Sequence, residues 1–213
     1  KSLEKYLCNI KSRAERALDF FGDSKGGPPE NIALKHFIKS MAWLWEKKKG
    51  KKRVVIGYDR RFLSAEFAET VSLVLAANNI SVVLSDKDIP TPAISFHCAY
   101  KKYDLGVMIT ASHNPSKFNG FKIKTPEGGS ADKPVTNAVE KFFHKNKVKT
   151  IDLKIAQKKG LLKYQDLYKD YLAFFKGFLN LPKIRKLKLK VLIDNMYGSG
   201  GTCVEQILSS SNI

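Results

Sequence analysis

Apolar residues recur along this chain in two periods, one typical of helices and the other of strands. Apolar positions three or four residues apart predict helices at 28–52, 64–79 and 90–103, with Ser64 expected to cap the second. Short, mostly apolar runs predict buried strands at 53–58, 81–84 and 105–109. Because strands alternate with helices, the sequence predicts an α/β domain with parallel strands.

Shorter elements complete this domain. Residues 120–124 alternate in polarity and predict an antiparallel edge strand, and a helix is predicted at 133–145. The expected fold is a three-layer α/β/α domain with a mixed, mainly parallel sheet, spanning residues 28–150. Residues 1–27 form an N-terminal extension with no assignment.

A second unit is predicted after this domain. Residues 151–186 read as a helical connection that includes an amphipathic helix at 166–178, and residues 189–193 read as a strand. Glycines at 198–201 then lead into a last helix. One strand and one helix cannot bury a core, so residues 187–213 are expected to open a second, similar domain that is truncated.

Composition excludes several classes of protein. The 213 residues are 43% hydrophobic and 27% charged, which is too apolar for a disordered chain and too charged for a membrane span. Cys8, Cys98 and Cys203 form no CxxC pair, and the start of the chain lacks the apolar core of a secretory signal. We therefore expect a cytoplasmic protein without a membrane partner. The chain begins without Met, so a start that is processed, trimmed or incomplete is expected.

The net charge of +18 is unevenly distributed. Residues 141–190 hold fifteen Lys or Arg residues and only three acids. Such a stretch is compatible with a nucleic-acid or polyanion footprint, but no helix-turn-helix or RNP-type motif accompanies it. A solvated lysine-rich face is the preferred interpretation, and nucleic acid is not expected as a partner.

Chemically informative residues follow the strand predicted at 105–109. Ser112, His113 and Asn114 come immediately after its carboxyl end, where open α/β sheets bind ligands. Lys122 and Lys124 lie two apart on the next strand and so share one face. An exposed serine near lysines suits a phosphoryl carrier, although the same residues also fit an ordinary turn.

Three alternatives for these and neighbouring residues stay open. Ser112 lacks the G-x-S-x-G context of a hydrolase, which weakens a dyad with any of four histidines, namely His36, His97, His113 and His144. The 198–201 glycines fit a phosphate loop less well than a tight turn. Arg61 is expected to line the cleft and bind phosphate, with a structural pair to Asp59 as the alternative.

Several strings resemble the α-D-phosphohexomutase family, which includes phosphoglucomutase and phosphomannomutase. Residues 110–115 read Thr-Ala-Ser-His-Asn-Pro and residues 119–122 read Asn-Gly-Phe-Lys, which is similar to the family's phosphoserine loop. Further similar strings lie at 55–64, 90–96, 128–131 and 191–201. The resemblance covers roughly residues 28–213.

The resemblance implies a role for each matching residue. Ser112 would carry the phosphoryl group, with Mg²⁺ on one of its oxygens and hexose 1,6-bisphosphate as the intermediate. His113 and Asn114 would orient the loop. Lys122 would contact the phosphoryl group or a substrate oxygen, and Lys124 would favour anionic sugar phosphates.

Two departures from the family pattern stand out. The nearest match to the family's N-terminal Phe-Gly-Thr-x-Gly-Trp-Arg-Gly segment is residues 21–27, which lack the Trp-Arg pair and offer only Lys25 as a substitute. The family's aspartate-rich Mg²⁺ loop, sugar loop and C-terminal phosphate loop would lie beyond Ile213. We therefore expect an incomplete part of a glucose or mannose phosphohexomutase that is inactive alone, with a non-catalytic fragment or a polyanion-binding module as alternatives.

Overall fold

The computed structural model describes residues 52–116, 118–134, 148–187 and 190–208. The helix predicted at 28–52 therefore lies outside the described residues except for its last position, as does the 21–27 string with Lys25. Residues 133 and 134 are helical, and the rest of the helix predicted at 133–145 lies outside the described range.

A five-stranded sheet forms the centre of the domain. Its strands are β1 (Arg53–Tyr58), β2 (Ser81–Ser85), β3 (Leu105–Ile109), β4 (Phe121–Lys124) and β5 (Leu162–Gln165), in the order β4-β3-β1-β2-β5. All neighbours are parallel except β3 and β4. The predicted mixed, mainly parallel sheet with an antiparallel edge is confirmed.

Helices cover both faces of the sheet, because successive strand residues point to opposite sides. Val54 and Ile56 of β1 pack in one apolar cluster with α1 (Ser64–Ala76) and Ala156 of α3 (Leu153–Lys158). Val55 packs in the other cluster with α2 (Thr91–Lys101) and α4 (Tyr168–Phe178). The predicted three-layer α/β/α architecture is confirmed.

The connection after residue 150 contains a strand that its sequence did not predict. Residues of β5 pair in parallel with β2, from Val82 against Leu162 to Ser85 against Gln165. Leu162 is buried, but Lys163 and Tyr164 are exposed, so this four-residue edge strand carries almost no apolar signal. The segment is thus not purely helical, although α3, α4 and the short α5 (Leu181–Arg185) lie within it.

The strand predicted at 189–193 is not found in the described residues. Residues 190–195 have no regular secondary structure, and Leu192 is 96% exposed. A strand needs a neighbour to pair with its backbone N–H and C=O groups, and no described strand runs beside this segment. The predicted last helix does form, as α6 (Cys203–Leu208).

No helix in the described part of the chain is both long enough and apolar enough to cross a membrane.

Candidate active site

Ser112 lies in the connection between β3 and β4, which we call the serine loop (residues 110–120). The residue is exposed, and its φ of 57° places it in the left-handed region that non-glycine residues rarely adopt. Its backbone N–H donates to Thr110 Oγ1 at 3.0 Å. Within the described residues its hydroxyl has no hydrogen-bond partner. The loop thus presents a free serine hydroxyl just beyond the carboxyl end of a parallel strand, on a backbone held in a strained conformation.

Arg61 holds the serine loop from the β1–α1 turn. Its Nη2 donates to the carbonyl oxygens of Ser112 at 2.8 Å and Asn114 at 2.7 Å. Its Nη1 donates to those of Pro115 at 2.9 Å and Phe118 at 3.0 Å. One guanidinium therefore binds four loop carbonyls, a pattern that its planar fork of donors makes possible.

Asp59 fixes the position of Arg61. Its Oδ2 lies 3.4 Å from Arg61 Nε, and its Oδ1 accepts the Arg61 backbone N–H at 3.0 Å. Both side chains are only 15% exposed, so the pair is shielded from solvent. The structural Asp59–Arg61 pair that the sequence left open is present. The described hydrogen bonds and ion pair of the Arg61 side chain are all to Asp59 and to loop carbonyls, so direct phosphate binding would have to displace one of them.

Asn119 and Gly120 fasten the other end of the loop. The buried Asn119 amide donates to Ser64 Oγ at 2.8 Å and to the carbonyl of Phe62 at 3.2 Å, and its Oδ1 accepts the Gly120 N–H at 2.9 Å. A Cβ on Gly120 would lie 2.7 Å from the carbonyl oxygen of Thr110, so only glycine fits there without a shift.

Ser64 joins the two halves of this network. The expected N-cap role of Ser64 is wrong, because Leu63 is the N-cap residue and makes no side-chain cap hydrogen bond. The Ser64 hydroxyl instead donates to Asp59 Oδ1 at 2.8 Å while it accepts from Asn119. A continuous chain of hydrogen bonds therefore connects the carboxyl end of β1 with both ends of the serine loop.

Lys122 and Lys124 share one face of β4, because they pair with Met108 and Gly106 of β3. They differ in their surroundings. Lys122 is half-buried and has no hydrogen bond or ion pair to a described residue, whereas Lys124 is buried and donates to Ser130 Oγ at 3.0 Å. Burial, and then the charge of Lys122, lowers the pKa of Lys124. Lys122 is thus the lysine free to contact a ligand.

The two described histidines differ in their exposure to solvent. His113 is exposed beside Ser112, whereas His97 is buried in α2 with Nε2 2.9 Å from the carbonyl oxygen of Leu167. Burial lowers the pKa of His97 and so favours its neutral form in the core. His97 cannot serve Ser112 as a base, and His36 and His144 lie outside the described residues.

A cavity of about 580 Å³ lies beside the carboxyl ends of β1 and β2, and its lining does not include Ser112. Arg60, Lys87, Asp88 and Asp166 contribute to its walls, but these charges compensate each other, with Arg60 2.8 Å from Asp88 and Lys87 2.9 Å from Asp166. The turn at 198–201 also lies here, where the Tyr168 hydroxyl donates to the Ser199 carbonyl. These contacts fit a tight turn better than a phosphate loop.

Comparison with known protein families identifies the family of this chain. The family model for phosphoglucomutase/phosphomannomutase, alpha/beta/alpha domain I, matches residues 27–150, more than half of the chain. The chain belongs to the phosphoglucomutase/phosphomannomutase family. The resemblance seen in the 110–122 strings is thereby confirmed.

Individual relatives of this phosphoglucomutase/phosphomannomutase family member agree. A phosphoglucomutase of Staphylococcus epidermidis is 35% identical over 165 residues, which are 75% of this chain and 30% of the relative. A phosphoglucomutase of Staphylococcus haemolyticus is 30% identical over 164 residues. The chain spans about 30% of the length of these curated relatives.

Solved structures of the family are also similar. A putative phosphomannomutase of Thermus thermophilus superposes with a TM-score of 0.74 and 28% identity over 83% of this chain and 38% of that one. Parafusin, a phosphoglucomutase of Paramecium, gives a TM-score of 0.73 at 21% identity over 85% of this chain and 38% of its own, which supports the fold alone.

The sequence did not indicate that Ser64 and Asn119 support the serine loop. It predicted that Arg61 binds phosphate, whereas the Arg61 guanidinium binds the loop carbonyls. Asp59 and Ser64 five positions apart across a strand-to-helix turn are a usable signal, since short polar side chains at such turns commonly bond within the turn. Nothing in the local sequence links Arg61 to carbonyls more than fifty residues away. That connection arises from the parallel pairing of β1 with β3.

Proposed function

We propose that this chain is part of a phosphohexomutase that interconverts hexose 1-phosphate and hexose 6-phosphate, of glucose or mannose, through phospho-Ser112 and a hexose 1,6-bisphosphate intermediate. The observation that carries the proposal is the free, exposed Ser112 hydroxyl on a loop whose backbone is held by Arg61. Phosphoryl transfer depends on positioning and charge stabilisation rather than on elaborate covalent chemistry.

Each transfer exchanges one P–O bond for another. A sugar hydroxyl oxygen attacks the phosphorus of phospho-Ser112, the Oγ–P bond breaks with its electron pair on Oγ, and the hydroxyl proton ends on Oγ. The bisphosphorylated sugar then returns its other phosphoryl group to Ser112 by the reverse step. Ser112 and His113 lie exposed at the loop, and the half-buried Lys122 ammonium is the free cation on β4 that would stabilise the transferred charge.

The remaining proposed residues act on the loop and its surroundings. Asn114 contributes its carbonyl to Arg61, and its backbone N–H donates to the Ala111 carbonyl at 3.1 Å, which supports an orienting role. Lys124 adds positive charge behind Lys122 but is held by Ser130, so we assign it a role in the local potential rather than in contact with substrate.

Mg²⁺ belongs to the proposal only in part. Among the described residues there is no group of three or more His, Cys, Asp or Glu that could hold a metal ion. Mg²⁺ prefers a shell of hard oxygens with carboxylates, and the only ligand that the family resemblance assigns within this chain is Ser112, the others being expected from the family's aspartate-rich loop. The described residues by themselves therefore do not fit a complete magnesium site.

The location and partners complete the proposal. Cys98 and Cys203 are free thiols, which supports a reducing, cytoplasmic compartment. The described lysines of the basic stretch are spread over α3, β5, α4 and α5, and no contact favours the polyanion-binding alternative. Binding of a nucleic acid that weakens steeply with salt would favour it instead.

Mass spectrometry of the freshly purified full-length protein tests the proposal. We expect one phosphate on the Ser112 peptide and conversion of glucose 1-phosphate or mannose 1-phosphate to the 6-phosphate. The Ser112→Ala variant should lose both. Full activity of this variant, or an active wild-type protein with no phosphate on Ser112, would refute the proposal.

A further inference from the structure

The serine loop turns four carbonyl oxygens inward onto one cation, the Arg61 guanidinium, whose side chain is 15% exposed. The carbonyls of Ser112, Asn114, Pro115 and Phe118 all accept from Arg61 within 3.0 Å. Carbonyl dipoles that converge in this way repel one another unless a cation lies between them. Arg61 therefore determines which way these peptide groups face.

The inward carbonyls turn the N–H groups of the following residues outward, and two of these residues, His113 and Ser116, are exposed. The described peptide bonds are all trans, and in a planar trans peptide the N–H points away from the carbonyl of the same unit. The carbonyls of Ser112 and Pro115 face Arg61, so the N–H groups of His113 and Ser116 face the opposite side. Neither N–H donates to a described residue, and both residues are exposed.

Outward N–H groups next to a reactive serine are suited to bind an anion. Backbone N–H groups that have no partner in the described residues can bind phosphate oxygens, and those of His113 and Ser116 lie on the same loop as Ser112. Such donors stabilise developing charge because they are fixed before the reaction.

We propose that Arg61 is a positioning residue: by holding the serine loop carbonyls, it directs the N–H groups of His113 and Ser116 toward the phosphoryl group transferred at Ser112. This inference rests on the proposed function and adds to it a residue that acts through the loop without touching the sugar. Asp59 supports Arg61 in this role.

The Arg61→Lys variant separates the effect of hydrogen-bond geometry from the effect of positive charge. It retains the positive charge, but a single ammonium cannot replace a guanidinium whose two terminal nitrogens each donate to two carbonyls. Arg53 provides a matched control, since it lies at the opposite end of β1, where its guanidinium is 4.6 Å from the ring centre of Tyr103. Arg53→Lys makes the same chemical change at the start of β1 without touching the serine loop.

The experiment uses the full-length protein and measures single-turnover transfer from phospho-Ser112 to glucose 1-phosphate. Rates are divided by the phosphorylated fraction from intact mass, so misfolded or unphosphorylated molecules do not contribute. We expect Arg61→Lys to lower this rate about 100-fold, the loss typical of a displacement of about 1 Å, with little change in KM. Arg53→Lys should stay within about threefold of wild type.

A second variant and a second readout cover the case in which Arg61→Lys folds poorly. Asp59→Asn keeps the guanidinium but removes its ion pair, and we expect a transfer rate about tenfold lower. Amide hydrogen exchange should be faster in both variants at Asn114 and Phe118, whose N–H groups donate to the carbonyls of Ala111 and Pro115. Exchange in β1 and β3 should stay unchanged.

The outcomes distinguish this inference from the proposed function. A wild-type protein without phosphate on Ser112 and without transfer overturns both. A wild-type protein that transfers, together with an Arg61→Lys rate equal to that of Arg53→Lys or with unchanged exchange at Asn114 and Phe118, overturns the role of Arg61 alone.

Discussion

Replacing Asn119 by alanine removes three hydrogen bonds at the base of the serine loop. The amide donates to Ser64 Oγ and to the Phe62 carbonyl, and its oxygen accepts the Gly120 N–H. Asn119 is 7% exposed, so water cannot readily replace these partners. The variant leaves polar groups on the β1–α1 turn and on the strand entry without their native contacts.

The expected loss of unfolding free energy follows from the number of hydrogen bonds removed. A typical intramolecular hydrogen bond contributes about 1 kcal/mol, and a buried group left unsatisfied costs more. We therefore expect Asn119→Ala to lower the free energy of unfolding by about 3 kcal/mol. Urea unfolding of the chain, followed by circular dichroism, measures this as a lower midpoint at unchanged slope.

Asn78 offers a matched control. Its amide donates to the Val74 carbonyl at 2.7 Å from the turn that follows α1, and it is well separated in sequence from the serine loop. Asn78→Ala is expected to cost about 1 kcal/mol. If Asn119→Ala costs no more than Asn78→Ala, the network joining the loop to β1 does not stabilise the domain as described.

Three further predictions concern close packing and buried groups. Gly120→Ala should cost about 1 to 3 kcal/mol, because its Cβ would meet the Thr110 carbonyl, whereas Gly177→Ala in α4 meets nothing within 4 Å and should be neutral or stabilising in the same urea titration. Burial lowers the pKa of His97 from 6.5, so the unfolded chain takes up a proton that the folded chain excludes, and stability should fall as the pH drops below about 6.5. His97→Gln should flatten that dependence, and an equally steep loss in the variant would contradict it. Burial raises the pKa of the Cys98 thiol to about 12, so iodoacetamide should modify Cys98 in urea but not in the native protein at pH 8, as peptide mapping would show.

Local sequence patterns predict the strands and helices whose own residues show a clear apolar run or period. The strand at Leu105–Ile109 is buried at every position and reads as a continuous apolar run, which is how strands covered on both faces are recognised. By contrast, Leu162–Gln165 forms a strand only because β2 offers it an unpaired edge. The run at 190–193 is apolar enough for a strand, yet it pairs with none of the described strands.

The candidate site likewise has features that the sequence predicts and features that depend on the fold. Ser112 could be located because a strand ends just before it, and the Lys122 and Lys124 faces follow from a period of two. The different surroundings of these lysines could not be predicted, since only Lys124 meets Ser130, through a hydrogen bond that depends on how the chain folds after β4. Likewise, the four carbonyls around Arg61 lie 51 to 57 residues away in sequence and meet it only through the pairing of β1 with β3.

Phosphate transfer at Ser112 is the central claim, and one measurement tests it most directly. The full-length protein, phosphorylated on Ser112, is mixed with glucose 1-phosphate, and the Ser112 peptide and the sugar are followed together by mass spectrometry. We predict that phosphate leaves the Ser112 peptide as glucose 1,6-bisphosphate appears in equal amount, faster than the steady-state turnover. Turnover to glucose 6-phosphate while Ser112 remains unphosphorylated, or keeps its phosphate throughout, would contradict the account.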